Sequence, residues 1–152
     1  MKPPSTIVVG VDRSPAAKAA LAWAVREAKR TGATVHALSV CRLGSSSDDT
    51  ASAQAHAHRL AEAVAALGAT EEGARLEQEV PHGVPGPVLV ERSADADLLV
   101  IGEHGHRQSG VTVLSPTTEY CLRHARCPVV VVPLEGARHD GPLMLRPEAP
   151  VR

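Results

Sequence analysis

An aspartate directly after an apolar run is a carboxylate held at the end of a strand. Asp12 stands so, after Thr6-Ile7-Val8-Val9-Gly10-Val11. A second such place is the turn Gly102-Glu103-His104-Gly105, which follows Leu98-Leu99-Val100-Ile101. Glycine there lets backbone come near a bulky group, with φ above zero where needed. A helix start follows at Ser115-Pro116, and a helix start adds aligned N–H groups and positive potential. These residue types fit the holding of an anionic ligand. The same glycines also serve a plain tight turn after a strand, so taken alone they leave both readings open.

Covalent and metal chemistry find less support. Ser14 and Asp12 are not part of a G-x-S-x-G elbow, and neither G-x-x-x-x-G-K-[S/T] nor G-x-G-x-x-G occurs. With no evident base, nucleophile or metal, the chain is not expected to be an enzyme. Of the eight histidines, His56 and His58 sit two apart on a helix and point apart. His104 and His106 share a loop that His82 could approach, but no cysteine or carboxylate pattern supports a metal there. The cysteines, Cys41, Cys121 and Cys127, are odd in number and lack C-x-x-C spacing, so reduced thiols in a cytoplasmic protein are expected. Cys127 reads as a buried inert thiol and Cys41 as half-buried packing.

Composition narrows the partners. A formal net charge of -1 gives no general attraction to nucleic acid or an anionic membrane. Trp23 and Tyr120 are the only aromatic residues, too few to stack single-stranded bases. No apolar run approaches the roughly 20 residues that span a membrane. Met1-Lys2-Pro3-Pro4 leads straight into a strand and does not read as a signal peptide.

The elements that must position these residues alternate strand and helix. Thr6 to Val11 reads as a strand buried on both faces. Ser14 caps and Pro15 opens a helix whose apolar face is Ala17, Leu21, Ala24, Val25 and Ala28, ending at Gly32. Thr34 to Val40 is a strand. After a Ser- and Asp-rich loop, a helix from about 51 to 67 buries Ala53, Ala57, Leu60, Val64 and Leu67. Ala74 to Val80 alternates with Arg75, Glu77 and Glu79 and reads as an edge strand. A helix opens at Gly83 to Gly86, Asp97 to Gly102 is a strand, and Glu103 to Leu114 is a loop. A helix covers about Pro116 to His124, and Cys127 to Pro133 is the last strand. This alternation predicts a single doubly wound α/β domain over 1–134, with a parallel sheet, right-handed crossovers and helices on both faces. Residues 135–152 are expected to form a flexible tail.

Three segments resemble the universal stress protein family in their order: Gly10-Val11-Asp12-Arg13-Ser14-Pro15, Asp97 to Gly105, and Leu122-Arg123-His124-Ala125-Arg126-Cys127-Pro128 with the four valines after it. The resemblance spans about 5–134. It implies a five-stranded parallel sheet of order 3-2-1-4-5, and the sequence agrees: the solid apolar strands fall in the middle and the polar third strand at an edge. A ligand then sits beyond the carboxyl ends of strands one and four, where strand order reverses. The resemblance implies an adenine nucleotide, ATP or AMP. Asp12 and the backbone of Val40 would hold its adenosine, Gly102 would pass near the ribose, and Gly105 would offer its N–H to phosphate.

One departure bears on the phosphates. Nucleotide-binding members of the resembled family show G-x-x-G, nine residues, then G-[S/T]. Here nine residues follow Gly105, but the next pair is Ser115-Pro116. Pro116 has no N–H, so one donor is missing. Ser115 reads as the cap of its own helix. A lost hydrogen bond to a charged group costs roughly 1.5–3 kcal/mol, roughly tenfold to a hundredfold in affinity. Thr118 falls where the family has a second hydroxyl within reach of phosphate. His104 and His106 would add charge only when protonated. Arg13, in place of the family's usual Gly, either reaches a phosphate or crowds the site. Weakened triphosphate binding is expected, with adenosine or AMP recognition kept, and any magnesium arriving only with the nucleotide.

The four valines Val129, Val130, Val131 and Val132 form an apolar, unguarded edge strand, and the resemblance implies an antiparallel homodimer through it. The alternative is that 135–152 cover this edge. For function, the leading expectation is a cytoplasmic stress-response protein in which bound nucleotide orders Gly102 to Thr118 for a protein partner. The alternative is a nucleotide-free homodimeric interaction module, which Ser115-Pro116 favours. ATP hydrolysis ranks last.

Overall fold

The computed structural model describes residues 5–42, 49–68, 73–103 and 105–134; for 49–51, 106–108 and 112 it describes the backbone alone. The expected tail, the Ser- and Asp-rich loop over 43–48 and His104 lie outside the described residues.

Strand β1 (Thr6–Gly10) leads through Asp12 into helix α1 (Pro15–Thr31). Ser14 caps α1 as its sequence position predicts: its Oγ accepts from the Ala17 N–H at 3.2 Å, and Gly32 closes the other end. β2 (Thr34–Leu38), α2 (Asp49–Ala65), β3 (Arg75–Glu79), α3 (Pro85–Arg92) and β4 (Leu98–Glu103) follow. Then come β5 (His106–Gln108), β6 (Val111–Val113), α4 (Pro116–His124) and β7 (Val129–Pro133).

The main sheet has the order β3-β2-β1-β4-β7, and all four pairings are parallel. Counting the five strands of this sheet alone, that is the order 3-2-1-4-5. The register sets Gly10 beside Leu38 on one side and Ile101 on the other. Helices cover both faces. On one, Leu21, Val25 and Ala28 of α1 and Leu60 and Val64 of α2 pack on Ile7, Val9, Val35 and Val100. On the other, Leu89 of α3 and Cys121 of α4 pack on Val8, Leu38, Leu99 and Ile101. This double coverage is why β1 and β4 read as unbroken apolar runs. β3 is largely exposed, in line with its polar alternation and edge position.

Three expectations need correction. The segment Glu103 to Leu114 is not a plain loop: it folds into the antiparallel hairpin β5–β6, with Ser109 and Gly110 both at positive φ in its turn. A two-residue Ser-Gly link between short runs is the signal for such a turn. The buried stripe of α2 is rotated from the one expected. Ala57 is exposed, while Ala63 is buried beside Leu60 and Val64. Finally, Cys41 is not half-buried. It is 0% exposed, and its N–H bonds the Pro81 carbonyl at 2.8 Å.

The tightest contact between helix and sheet lies at Gly102. A Cβ there would stand 2.2 Å from the Ala16 carbonyl oxygen and 2.7 Å from the Ala17 nitrogen, both backbone atoms. The first turn of α1 has nowhere to retreat, since Ala16, Ala17 and Ala20 are buried. Gly102→Ala is therefore expected to lower unfolding stability by about 3 kcal/mol or more, at or above the upper end of ordinary overpacking costs. Urea denaturation checks this, and a loss below about 1 kcal/mol would show that α1 can shift.

Candidate functional site

The carboxyl ends of β1, β2 and β4 open onto a cleft of about 770 Å³, counting the space at its mouth. It lies where strand order reverses, β1 running out to β2 on one side and β4 to β7 on the other. Its floor is aliphatic: Val11, Leu38, Leu60, Leu89 and Ile101. Neither Trp23 nor Tyr120 lines it, so a flat ring would be held between branched chains, not stacked on an aromatic face.

Asp12 stands at the cleft, exposed, with its Oδ1 accepting from the Ser14 N–H at 2.7 Å. That bond fixes the carboxylate at the end of β1 and leaves Oδ2 for a ligand hydroxyl. Val40 also lines the cleft. Ser39 and Cys41 turn their N–H groups toward the β3 side, to the carbonyls of Glu79 at 3.0 Å and Pro81 at 2.8 Å. Alternation along the strand therefore directs the N–H and C=O of Val40 toward the β1 side, past the last pairing of Val11 with Leu38. Both residues singled out for the adenosine part are thus brought together.

The residues singled out for phosphate are arranged differently. Gly102 lines the cleft, but the space a side chain would take there belongs to α1, so its glycine serves packing before any ribose. Gly105 has φ +66° and so needs glycine's freedom. Its N–H, however, donates to Glu103 Oε2 at 3.2 Å. Glu103 Oε1 accepts from the Ser115 N–H at 2.7 Å. Glu103 is 3% exposed, so this carboxylate is buried between the two amides. Ser115 caps α4 as expected. Its Oγ accepts from the Thr118 N–H at 3.3 Å and donates to Thr118 Oγ1 at 3.1 Å. Thr118 is 0% exposed and does not face the cleft; the neighbouring Thr117 does. Thr117 and Thr118 are consecutive helical residues and so point about 100° apart, one to the cleft and the other into the core.

Arg13 does reach the cleft, and so do two residues not foreseen for it: His56 and Arg59 of α2. The His56 Nδ1 lies 2.8 Å from Ser39 Oγ. Burial, then the nearby Arg59, Arg13 and His82, hold the His56 imidazole below the usual histidine range. The signal for this wall was the spacing His56, Arg59, Leu60, which puts all three on one face of α2.

Among the described residues no group of three or more His, Cys, Asp or Glu could hold a metal ion. No helix there is long and apolar enough to cross a membrane. Burial pushes the Cys121 thiol up to about 11 and raises Cys127 as well, which suits packing, not nucleophilic attack. Val129 to Val132 lie in β7, half-buried at the sheet edge and paired only with β4 among the described strands.

A doubly wound sheet of this order with a cleft at its switch point defines a class of α/β domains. Residues 4–133 match the family described as the universal stress protein family, and the chain belongs to it. It is 37% identical over 129 residues to the universal stress protein Rv2624c of Mycobacterium tuberculosis, covering 84% of this chain and 47% of that one. The chain thus spans about half the length of the curated relatives it matches. Among solved structures, the universal stress protein UspA from Lactobacillus plantarum superposes with a TM-score of 0.64 at 28% identity, over 84% of this chain and 97% of that one. The universal stress protein from Archaeoglobus fulgidus in complex with dAMP shares the fold, with a TM-score of 0.63 at 21% identity over 84% and 97%.

The depressed titration of His56 has a consequence for stability. Its folded-state pKa lies below the unfolded one, so on falling below about pH 6.5 the unfolded chain binds more protons and stability declines. His56→Gln should flatten that decline. Urea midpoints at about pH 7.5 and about pH 5.5 check this, and equal losses in both proteins would show that His56 contributes nothing.

Proposed function

We propose that this chain is a stress-response protein that binds an adenine nucleotide, AMP or ATP, with the adenosine part in the cleft at the ends of β1 and β4. The observation that carries the reading is the convergence of Asp12 and the Val40 backbone on an aliphatic slot at the switch point. A carboxylate oxygen there suits ribose hydroxyls, a strand-end N–H and C=O suit the polar edge of a purine, and branched chains suit its faces. The Archaeoglobus fulgidus protein of the same fold holds dAMP, which supports the class of ligand. The role is binding, not catalysis, and magnesium would enter only with ATP. A cytoplasmic setting, where thiols stay reduced, fits three free cysteines.

A second reading is a nucleotide-free homodimeric interaction module of the same fold. It is favoured by Glu103, which takes the Gly105 and Ser115 amides. Both readings share a homodimer through the outer edge of β7, Val129 to Val132, which pairs with no other described strand.

Calorimetric titration of nucleotide-free, folded protein with adenosine, AMP and ATP separates them. Binding of AMP at micromolar concentration, weakened about tenfold or more by Asp12→Ala, is the expected result. No heat with any of the three selects the module. Light scattering should give twice the chain mass at micromolar protein, and a monomer mass would reject the β7 dimer.

A further inference from the structure

If the cleft holds an adenine nucleotide, the ligand's negative charge needs a place. Three described backbone amides from β4 into α4 are already engaged. Glu103 occupies the amides of Gly105 and Ser115, Pro116 has no N–H, and Ser115 Oγ takes the Thr118 amide. Across the cleft the chemistry is the reverse. Arg13 extends from the turn after β1, and Arg59 and His56 project from one face of α2. No carboxylate pairs with Arg13 or Arg59 among the described residues. Among the described residues, two guanidinium groups against one cleft carboxylate, Asp12, leave that wall net positive.

We infer that the anionic end of the ligand is held by Arg13, Arg59 and His56 on the α2 side of the cleft, and that Glu103 stands in for phosphate at the Gly105 and Ser115 amides. The inference rests on the proposed occupancy of the cleft by an adenine nucleotide. A guanidinium offers two parallel N–H donors that match two phosphate oxygens, and a pair of them suits an adenosine mono- or diphosphate. The His56 ring is fixed by its hydrogen bond with Ser39, so it presents its other nitrogen in one orientation. The basic wall is built from side chains on the first two crossovers, and the loop before α4 takes no part in it.

The test uses the full chain and calorimetry with adenosine, AMP, ATP and inorganic pyrophosphate. AMP is expected to bind about tenfold or more tightly than adenosine. Arg59→Gln should remove that advantage, and Arg13→Gln should reduce it. Equal binding of AMP and adenosine to the unaltered protein, or an AMP advantage untouched by Arg59→Gln, overturns the inference and leaves the adenosine site standing. Glu103→Ala frees two amides and should raise ATP affinity about tenfold. Where that variant is not folded by circular dichroism, Glu103→Gln, which keeps one accepting oxygen, serves instead. No gain in folded protein overturns the role given to Glu103. If neither adenosine nor AMP binds, the adenine reading itself fails. Pyrophosphate binding that Arg59→Gln abolishes would then still support the basic wall, and its absence would overturn it.

Discussion

The first turn of α1 rests on the bare backbone of Gly102, and the site is laid out around that contact. With a Cβ position only 2.2 Å from the Ala16 carbonyl oxygen, helix and strand meet with no side chain between them. The contact brings the start of α1, and with it the Asp12–Ser14 turn, to the carboxyl end of β4. It therefore places the carboxylate at the end of β1 beside the exit of β4, which is what makes the switch point a cleft instead of a gap filled by side chains. Leu89 and Ile101 close it from the other face of the sheet. A glycine often explained by its closeness to a ligand is here first required by packing.

Competition between two anions decides how the segment before α4 can act. A phosphate that took the Gly105 and Ser115 amides would gain two hydrogen bonds, each about 1.5–3 kcal/mol for a charged acceptor. It would also strip the same two bonds from Glu103, which is 3% exposed. Leaving a buried charge without its partners costs about 3–5 kcal/mol, and the two anions would repel at short range besides. The exchange is at best neutral, whereas the basic wall on α2 can take a phosphate without displacing anything. The same carboxylate ties the end of β4 to the start of α4, so its burial is compensated within the chain.

Much of this was legible in the residues. The family resemblance implied the order of the sheet, and the positions of the solid apolar strands and of the polar β3 agreed with it. The cap Ser14-Pro15 and the face of α1 followed from spacing alone. Asp12 and Val40 meet at the cleft because the switch point of a parallel sheet fixes strand ends. The parts that were not legible depend on side-chain direction, which spacing constrains only loosely. Thr118 turns inward, where the Ser115 hydroxyl bonds both its N–H and its Oγ1. His56 and Arg59 were hidden by a stripe drawn one position off, through Ala57. Glu103 carried no signal, since an acid after a strand is ordinarily a solvated residue. Only the fold reveals that two backbone amides converge on it.

The hairpin β5–β6 and the Glu103 bridge give the segment from Gly105 to Ser115 its shape from within the chain. A surface completed by its own residues conveys little about whether a ligand is present nearby. A partner that docks on that face would respond to how much of this protein the cell contains, and the message would be written by its synthesis and degradation. Information about the nucleotide pool would have to leave by another route, through α2, whose His56 and Arg59 stand at the cleft.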